Sequence, residues 1–142
     1  MIIDKVKAYL KTCPLLVAKA KKGTINVNYL GEEPCEYSIE VISVNPLVKR
    51  YTDGGELRQY LFAVCSREAY DANALENMNV AKFFEEFEDW ISEQDKAGNY
   101  PELSNGMQAI KIEVVSSGYL DSSDEDRARF SIEIKLTYRK ER

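Results

Sequence analysis

The sequence predicts an α+β domain: an antiparallel sheet of about five strands with two main helices packed on it, in the order α-β-β-β-α-β-β. Phe130, Ile132, Ile134, Leu136 and Tyr138 alternate with Ser131, Glu133, Lys135 and Thr137. Successive side chains of a strand point to opposite faces, so this run has one apolar and one polar face. Val80, Phe83, Phe84, Phe87, Trp90 and Ile91 recur instead at the spacing of one helix face. Glu85, Glu86, Glu88, Asp89 and Glu93 fall opposite them. The other apolar alternations are short and divided by turns. Strands of that kind come in antiparallel sets with helices on one face. The 142 residues suit a single domain, 1–142. A chain near this size buries roughly two-thirds of its unfolded surface, so it needs no covalent staples.

Ile3, Val6 and Leu10, widened by Ile2 and Tyr9, predict an opening helix. Pro14 disfavours helix at the residue before it, so that helix ends or bends at Cys13. The stretch on to Lys22 reads as ambiguous, with a short extra turn as one option and Gly23 as its stop. Ile25, Val27 and Tyr29 predict a strand, Gly31 to Pro34 a turn, and Tyr37, Ile39 and Val41 a second strand. So short a link predicts an antiparallel hairpin. Residues 43–56 read as a loop holding Asn45-Pro46 and Asp53-Gly54-Gly55, both turn signals. Leu57 to Cys65 predicts a third strand, apolar on both sides from Leu61, as a central strand is. Asn77 or Asn79 is the expected cap of the long helix, Gly98 its C′ residue, and Pro101 follows at a suitable distance. Ile110, Ile112 and Val114 predict a fourth strand, and Ser116 to Arg127 an acidic link to the last one.

Composition excludes several functions. The net charge of −5 and pI near 4.9 argue against a general nucleic-acid binder. The charge is uneven. Residues 1–22 carry six lysines and one acid, Asp4, whereas residues 85–95 carry six acids and no base. The three cysteines, Cys13, Cys35 and Cys65, are odd in number and widely spaced, which suits a reducing cytoplasm. Cys13 to Ala18 is apolar and Ala18-Lys19-Ala20 imitates a signal-peptidase site. The run is too short for a signal peptide and Lys11 interrupts it, so secretion is not expected. No run approaches the roughly 18 apolar residues that cross a bilayer.

The chemistry-bearing residues favour scaffold over catalysis. The chain has no histidine, which removes Ser-His and Cys-His activation and the commonest neutral-pH general base. Neither GxxxxGK[ST] nor GxGxxG occurs. Glu85 and Asp89 share a helix face, but a solvated face opposite a Phe/Trp stripe accounts for them. Asp121, Asp124, Glu125 and Asp126 invite a calcium loop. With Asp124 at position 1, Arg129 takes the position an EF-hand gives to glycine, and the pattern fails. A solvated loop or a partner contact explains these acids better. Cys65 needs a neighbouring base or helix N-terminus to be reactive, and no sequence feature places one there. No catalytic, cofactor or metal residue is assigned. Residues 43–56 differ. Long loops without structure of their own are uncommon in compact domains and often functional. Leu47, Val48 and Tyr51 beside Lys49 and Arg50 suit a protein contact.

The segments CPLL, VNYLGEEPCEYSIE, NPLVKRYTDGGELRQYLFAVCSREAY, FFEEFEDWI and SSGYLDSSDEDRARFSIEIKLTY occur in that order across nearly the whole chain. Together they resemble the tail terminator, or tail-completion, proteins of long-tailed phages and prophages of Gram-positive bacteria, some of them labelled minor capsid proteins. The resemblance implies a non-enzymatic virion protein that assembles in the host cytoplasm as a ring, usually of six copies. Such a ring caps the tail tube protein, ends its polymerisation and meets the head-side connector protein. It implies no cofactor, no membrane and no sequence-specific nucleic acid. A ring needs two different patches of one subunit to meet. The lysine-rich start and either the acidic helix or Asp121 to Asp126 are candidates. Two alternatives stand beside this one: another neck or connector component of the same particle, and a small-molecule enzyme working with carboxylates alone.

Overall fold

A computed structural model describes residues 2–19, 25–27, 36–69, 74–104, 106–123 and 127–141. Side chains are described for these except at 17–19, 26–27, 36, 67–69, 74–80, 118–123 and 127–128. Tyr29, the Gly31 to Pro34 turn, Gly23 and Cys35 lie outside the described residues, as does the side chain of Val80.

The expected α+β architecture is present. The elements are α1 (Ile2–Leu10), α2 (Pro14–Lys19), β1 (Ile25–Val27), β2 (Glu36–Ile42), β3 (Leu47–Arg50), β4 (Glu56–Ala69), α3 (Ala74–Ala97), β5 (Met107–Ser123) and β6 (Arg127–Lys140). The sheet has six strands in the order β1-β2-β4-β6-β5, with β3 also paired to β4. Pro14 stands at the first position of α2, where its missing N–H costs nothing. The ambiguous stretch after it is therefore helix as far as Lys19.

β6 pairs antiparallel with β4 on one side and β5 on the other, which puts the alternating C-terminal strand inside the sheet. One face is apolar across the strands. Tyr37 and Ile39 of β2, Phe62 and Val64 of β4, and Ile132, Ile134 and Leu136 of β6 are all essentially inaccessible. The helices cover this face. Phe83, Phe84, Phe87 and Ile91 of α3 join Val6, Tyr9 and Leu10 of α1 in one core. Its rings make tilted and edge contacts, such as Tyr9 to Trp90 at 5.5 Å and Tyr37 to Phe83 at 5.8 Å. Fully burying each large apolar side chain contributes about 1.5–3 kcal/mol, which makes this stripe the main cohesive element.

Four expectations need correction. β1 and β2 pair in parallel, Ile25 opposite Tyr37 and Val27 opposite Ile39, so they form no antiparallel hairpin. The antiparallel partner of β2 is β4, whose long apolar run offers the larger surface to pair with. Residues 43–56 are not structureless, because β3 pairs with the start of β4. The stretch after Ser116 is strand as far as Ser123 and not a link. The register of β5 shifts four times, between 109/111, 114/116, 116/119 and 120/122. Each bulge adds a residue and breaks the two-residue period that marks a strand in sequence. Finally, α3 begins at Ala74, so Asn77 and Asn79 stand within the helix and not at its start. Its other end is as expected, with Gly98 at φ +71° after the last turn.

Among the described residues, no helix is long and apolar enough to cross a membrane.

Candidate functional site

The chain from Val41 to Glu56 forms the outer border of β4. β2 pairs with residues 61–67 of β4 and β3 with residues 56–58, so β2 and β3 follow one another along the same side of one strand. Asn45-Pro46 makes the jog between them. The Asn45 side-chain carbonyl accepts a hydrogen bond from Leu47 N–H at 3.1 Å, an Asx-type turn. The Pro46 carbonyl accepts one from Gln59 N–H at 2.8 Å. A tight turn then joins β3 to β4. Tyr51 N–H donates to the Gly55 carbonyl at 2.8 Å, and the Asp53 carboxylate accepts from Gly55 N–H at 2.8 Å. Gly54 adopts φ +93°, a conformation that glycine tolerates best.

This border carries the predicted contact residues. Val48, Lys49 and Arg50 are exposed; Leu47 and Tyr51 are half-buried. The register slips between Leu47 and Lys49, so Val48 is the extra residue of a bulge and 51% exposed. Its neighbours Val44 and Val41 are also exposed. Tyr51 is the anchor of the basic part. Lys49 Nζ lies 5.6 Å from its ring centre and the Arg139 guanidinium 6.0 Å, both within cation–π reach. Lys49, Arg50, Tyr51, Thr52, Asp53 and Arg139 line a shallow depression here.

Glu56 lies beside this depression, opposite Arg50 in the β3–β4 register. Arg58 Nη1 donates to it at 2.8 Å and Arg50 Nη2 lies 3.5 Å away. The Arg58 hydrogen bond holds the Glu56 carboxyl below its usual range, and the same bond raises Arg58. Arg58, Arg139 and Lys140 were not among the residues that sequence singled out. Arg58 lies directly across β4–β6 from Tyr138, and Glu56 across from Lys140, so the pairing gathers cations that are distant in sequence. With Lys49 and Arg50 they make the corner positive despite Asp53, Glu56 and Glu141.

Asp121 of the second predicted cluster lies on the opposite border strand from this corner. Asp121 belongs to β5, and its side chain, like all of Asp124, Glu125 and Asp126, lies outside the described residues. Of the acidic helix residues, Glu85, Glu86, Asp89 and Glu93 are exposed and Glu88 half-buried. Asp95 has a different task. Its carboxylate accepts from Tyr100 O–H at 2.9 Å and from Ile112 N–H at 3.1 Å, fastening α3 to β5.

Cys13 and Cys65 are buried. Cys65 lies between Ser38 and Ser131 on the sheet face away from the helices. Burial, and then its hydrogen bond to Glu40, push its thiol up to about 12; burial likewise raises Cys13. Neither is a thiolate at neutral pH. Among the described residues, no group of three or more Cys, Asp or Glu side chains is placed to hold a metal ion.

No protein-family model matches the chain, and no curated protein matches it.

Proposed function

We propose that this chain is a tail terminator: a virion protein that closes the end of a phage tail tube as a ring, most simply of six copies, and presents its other side to the head connector. The ordered resemblance of five segments, from CPLL to the final strand, carries this reading. The border from Val44 to Tyr51 supports it, because exposed valines beside Lys49 and Arg50 at a sheet edge suit contact between proteins. In this reading the chain is not an enzyme. It works in the host cytoplasm during assembly and then in the neck of the particle.

The test is self-association and tube binding. Native mass spectrometry and light scattering are run over a range of concentrations, with and without the tail tube protein of the same particle. The reading expects rings, or monomers that assemble on tube ends. A strict monomer that ignores tubes contradicts it.

A further inference from the structure

Among the described residues, the two most exposed large apolar side chains are Val48, at 51%, and Val115, at 55%. They occupy opposite borders of the sheet, Val48 on β3 and Val115 on β5. Both are bulge residues. Val48 is skipped between Leu47 opposite Arg58 and Lys49 opposite Leu57. Val115 is skipped between Val114 opposite Ile134 and Ser116 opposite Glu133. A bulge re-aims a side chain and spoils the ladder for a further strand. These borders are therefore shaped for side-chain contact and not for strand addition.

Their surroundings are opposite in charge. Lys49 and Arg50 follow Val48, with Arg139 beside them across the Tyr51 ring. Near Val115 the α3 acids come forward: Ser117 Oγ lies 3.4 Å from the Glu88 carboxylate, and Glu85 and Asp89 flank Glu88 on exposed positions. The cations nearest this border are already engaged. Lys111 pairs with Glu113 at 3.5 Å, Lys135 with Glu113 at 3.2 Å, and Lys82 with Glu86 at 4.0 Å.

Within one subunit the two patches cannot meet. Three strand spacings, about 14 Å, separate the borders. Through β6, Val48 lies level with Tyr138 and Arg139, whereas Val115 lies level with Glu133 and Ile134. That adds an offset of about 16 Å along the strands. A two-fold axis through the β3 border would set Lys49 and Arg50 against their own copies. Apolar centres with opposite charges on opposite borders fit a contact in which each copy uses a different patch.

We propose that the Val48–Lys49–Arg50 border of one copy docks on the Val115–Glu88–Asp89 border of a second copy of this chain. The contact is head-to-tail, so it repeats from copy to copy. It rests on the ring reading above for its biological setting, but it is a property of the chain alone. The pair of patches differs from the lysine-rich start considered from sequence, because the cations come from β3 and β6.

The test uses the full chain with Val48→Asp, Val115→Asp and an equimolar mixture of the two. Both sites are on the surface, and circular dichroism with thermal unfolding checks that each variant folds as the parent does. In analytical ultracentrifugation the parent is expected to form assemblies larger than a dimer. Each variant alone weakens association by about a hundredfold, since the apolar centre of the contact must now desolvate a charged carboxylate. The mixture restores association but stops at the dimer, because each variant keeps one intact border. Lys49→Glu with Glu88→Lys in one chain restores assembly lost by Lys49→Glu alone. A parent that stays monomeric at high concentration, variants that assemble as the parent does, or a mixture that stays monomeric overturns the proposal. Tail-tube capping by the parent is scored separately. A chain that caps tubes but fails this test retains the terminator reading and loses this interface.

Discussion

The guanidinium of Arg129 reaches across the sheet to the carboxylate of Glu40, 2.6 Å away, and passes 3.4 Å from the Cys65 sulfur. Cys65 is level with Ser38 on one side and Ser131 on the other, and the Ser131 hydroxyl is 3.4 Å from the same sulfur. The ion pair thus bridges three strands and roofs the thiol, whose accessibility is zero. Both charged side chains are less than a third exposed, so water screens the pair incompletely. Glu40→Gln is expected to cost about 1–2 kcal/mol, between the values for exposed and fully buried pairs. Urea denaturation measures it. A change below about 0.5 kcal/mol contradicts the bridging role.

Cys65 also sets an alkaline limit. Its ordinary value of 9.0 rises to about 12 in the fold. Between those values the unfolded chain loses the thiol proton and the folded chain keeps it, so unfolding releases a proton and stability falls as pH rises. The contribution is complete below pH 9 and has gone above about 12. Cys65→Ser should flatten the fall in melting temperature between pH 9 and pH 11, with Cys13, also raised by burial, retaining its own share. An unchanged slope contradicts the assignment.

Phe87 is fully buried among Phe83, Trp90 and the sheet. Phe87→Ala should destabilise by about 3–5 kcal/mol, as large aromatic truncations in cores do. Glu85→Ala, on the opposite face, should stay within about 0.5 kcal/mol. Chemical denaturation of the two variants side by side checks the contrast, and equal effects contradict it.

Asp95 holds a helix to an edge strand through one carboxylate oxygen. Asp95→Ala leaves Tyr100 O–H and Ile112 N–H without this partner and should cost about 1–3 kcal/mol. Hydrogen exchange offers a local readout. The Ile112 amide should lose protection more than Ile134 in the central strand does. Equal loss at both amides means that Asp95 acts only on global stability.

The sequence patterns reported the core well where the period stayed unbroken. The alternation of residues 130–138 is strand β6, and the Phe/Trp stripe of residues 83–91 is the buried side of α3. What escaped was written in interruptions. β3 is too short, and its bulge at Val48 too disruptive, to show a two-residue period. The serines and four register shifts of β5 disguised strand as acidic link in the same way. The parallel pairing of β1 with β2 runs against the expectation that a short link makes a hairpin. Of the proposed contact site, Leu47 to Tyr51 were singled out because turn signals flank an apolar-basic mixture. Arg58, Arg139 and Lys140 were not, since only the pairing of β4 with β6 brings them to that corner. Asp95 looked like one more acid on a solvated face, and no local signal distinguishes it from Glu93.

The most direct test of the central claim is the length of tail tubes polymerised with and without this chain. Tube protein of the same particle is assembled at fixed concentration, and lengths are read by negative-stain electron microscopy. If the chain is a terminator, adding it stops growth, narrows the length distribution and leaves a ring at one end of each tube. Tubes of unchanged length, with no protein at either end, contradict the account.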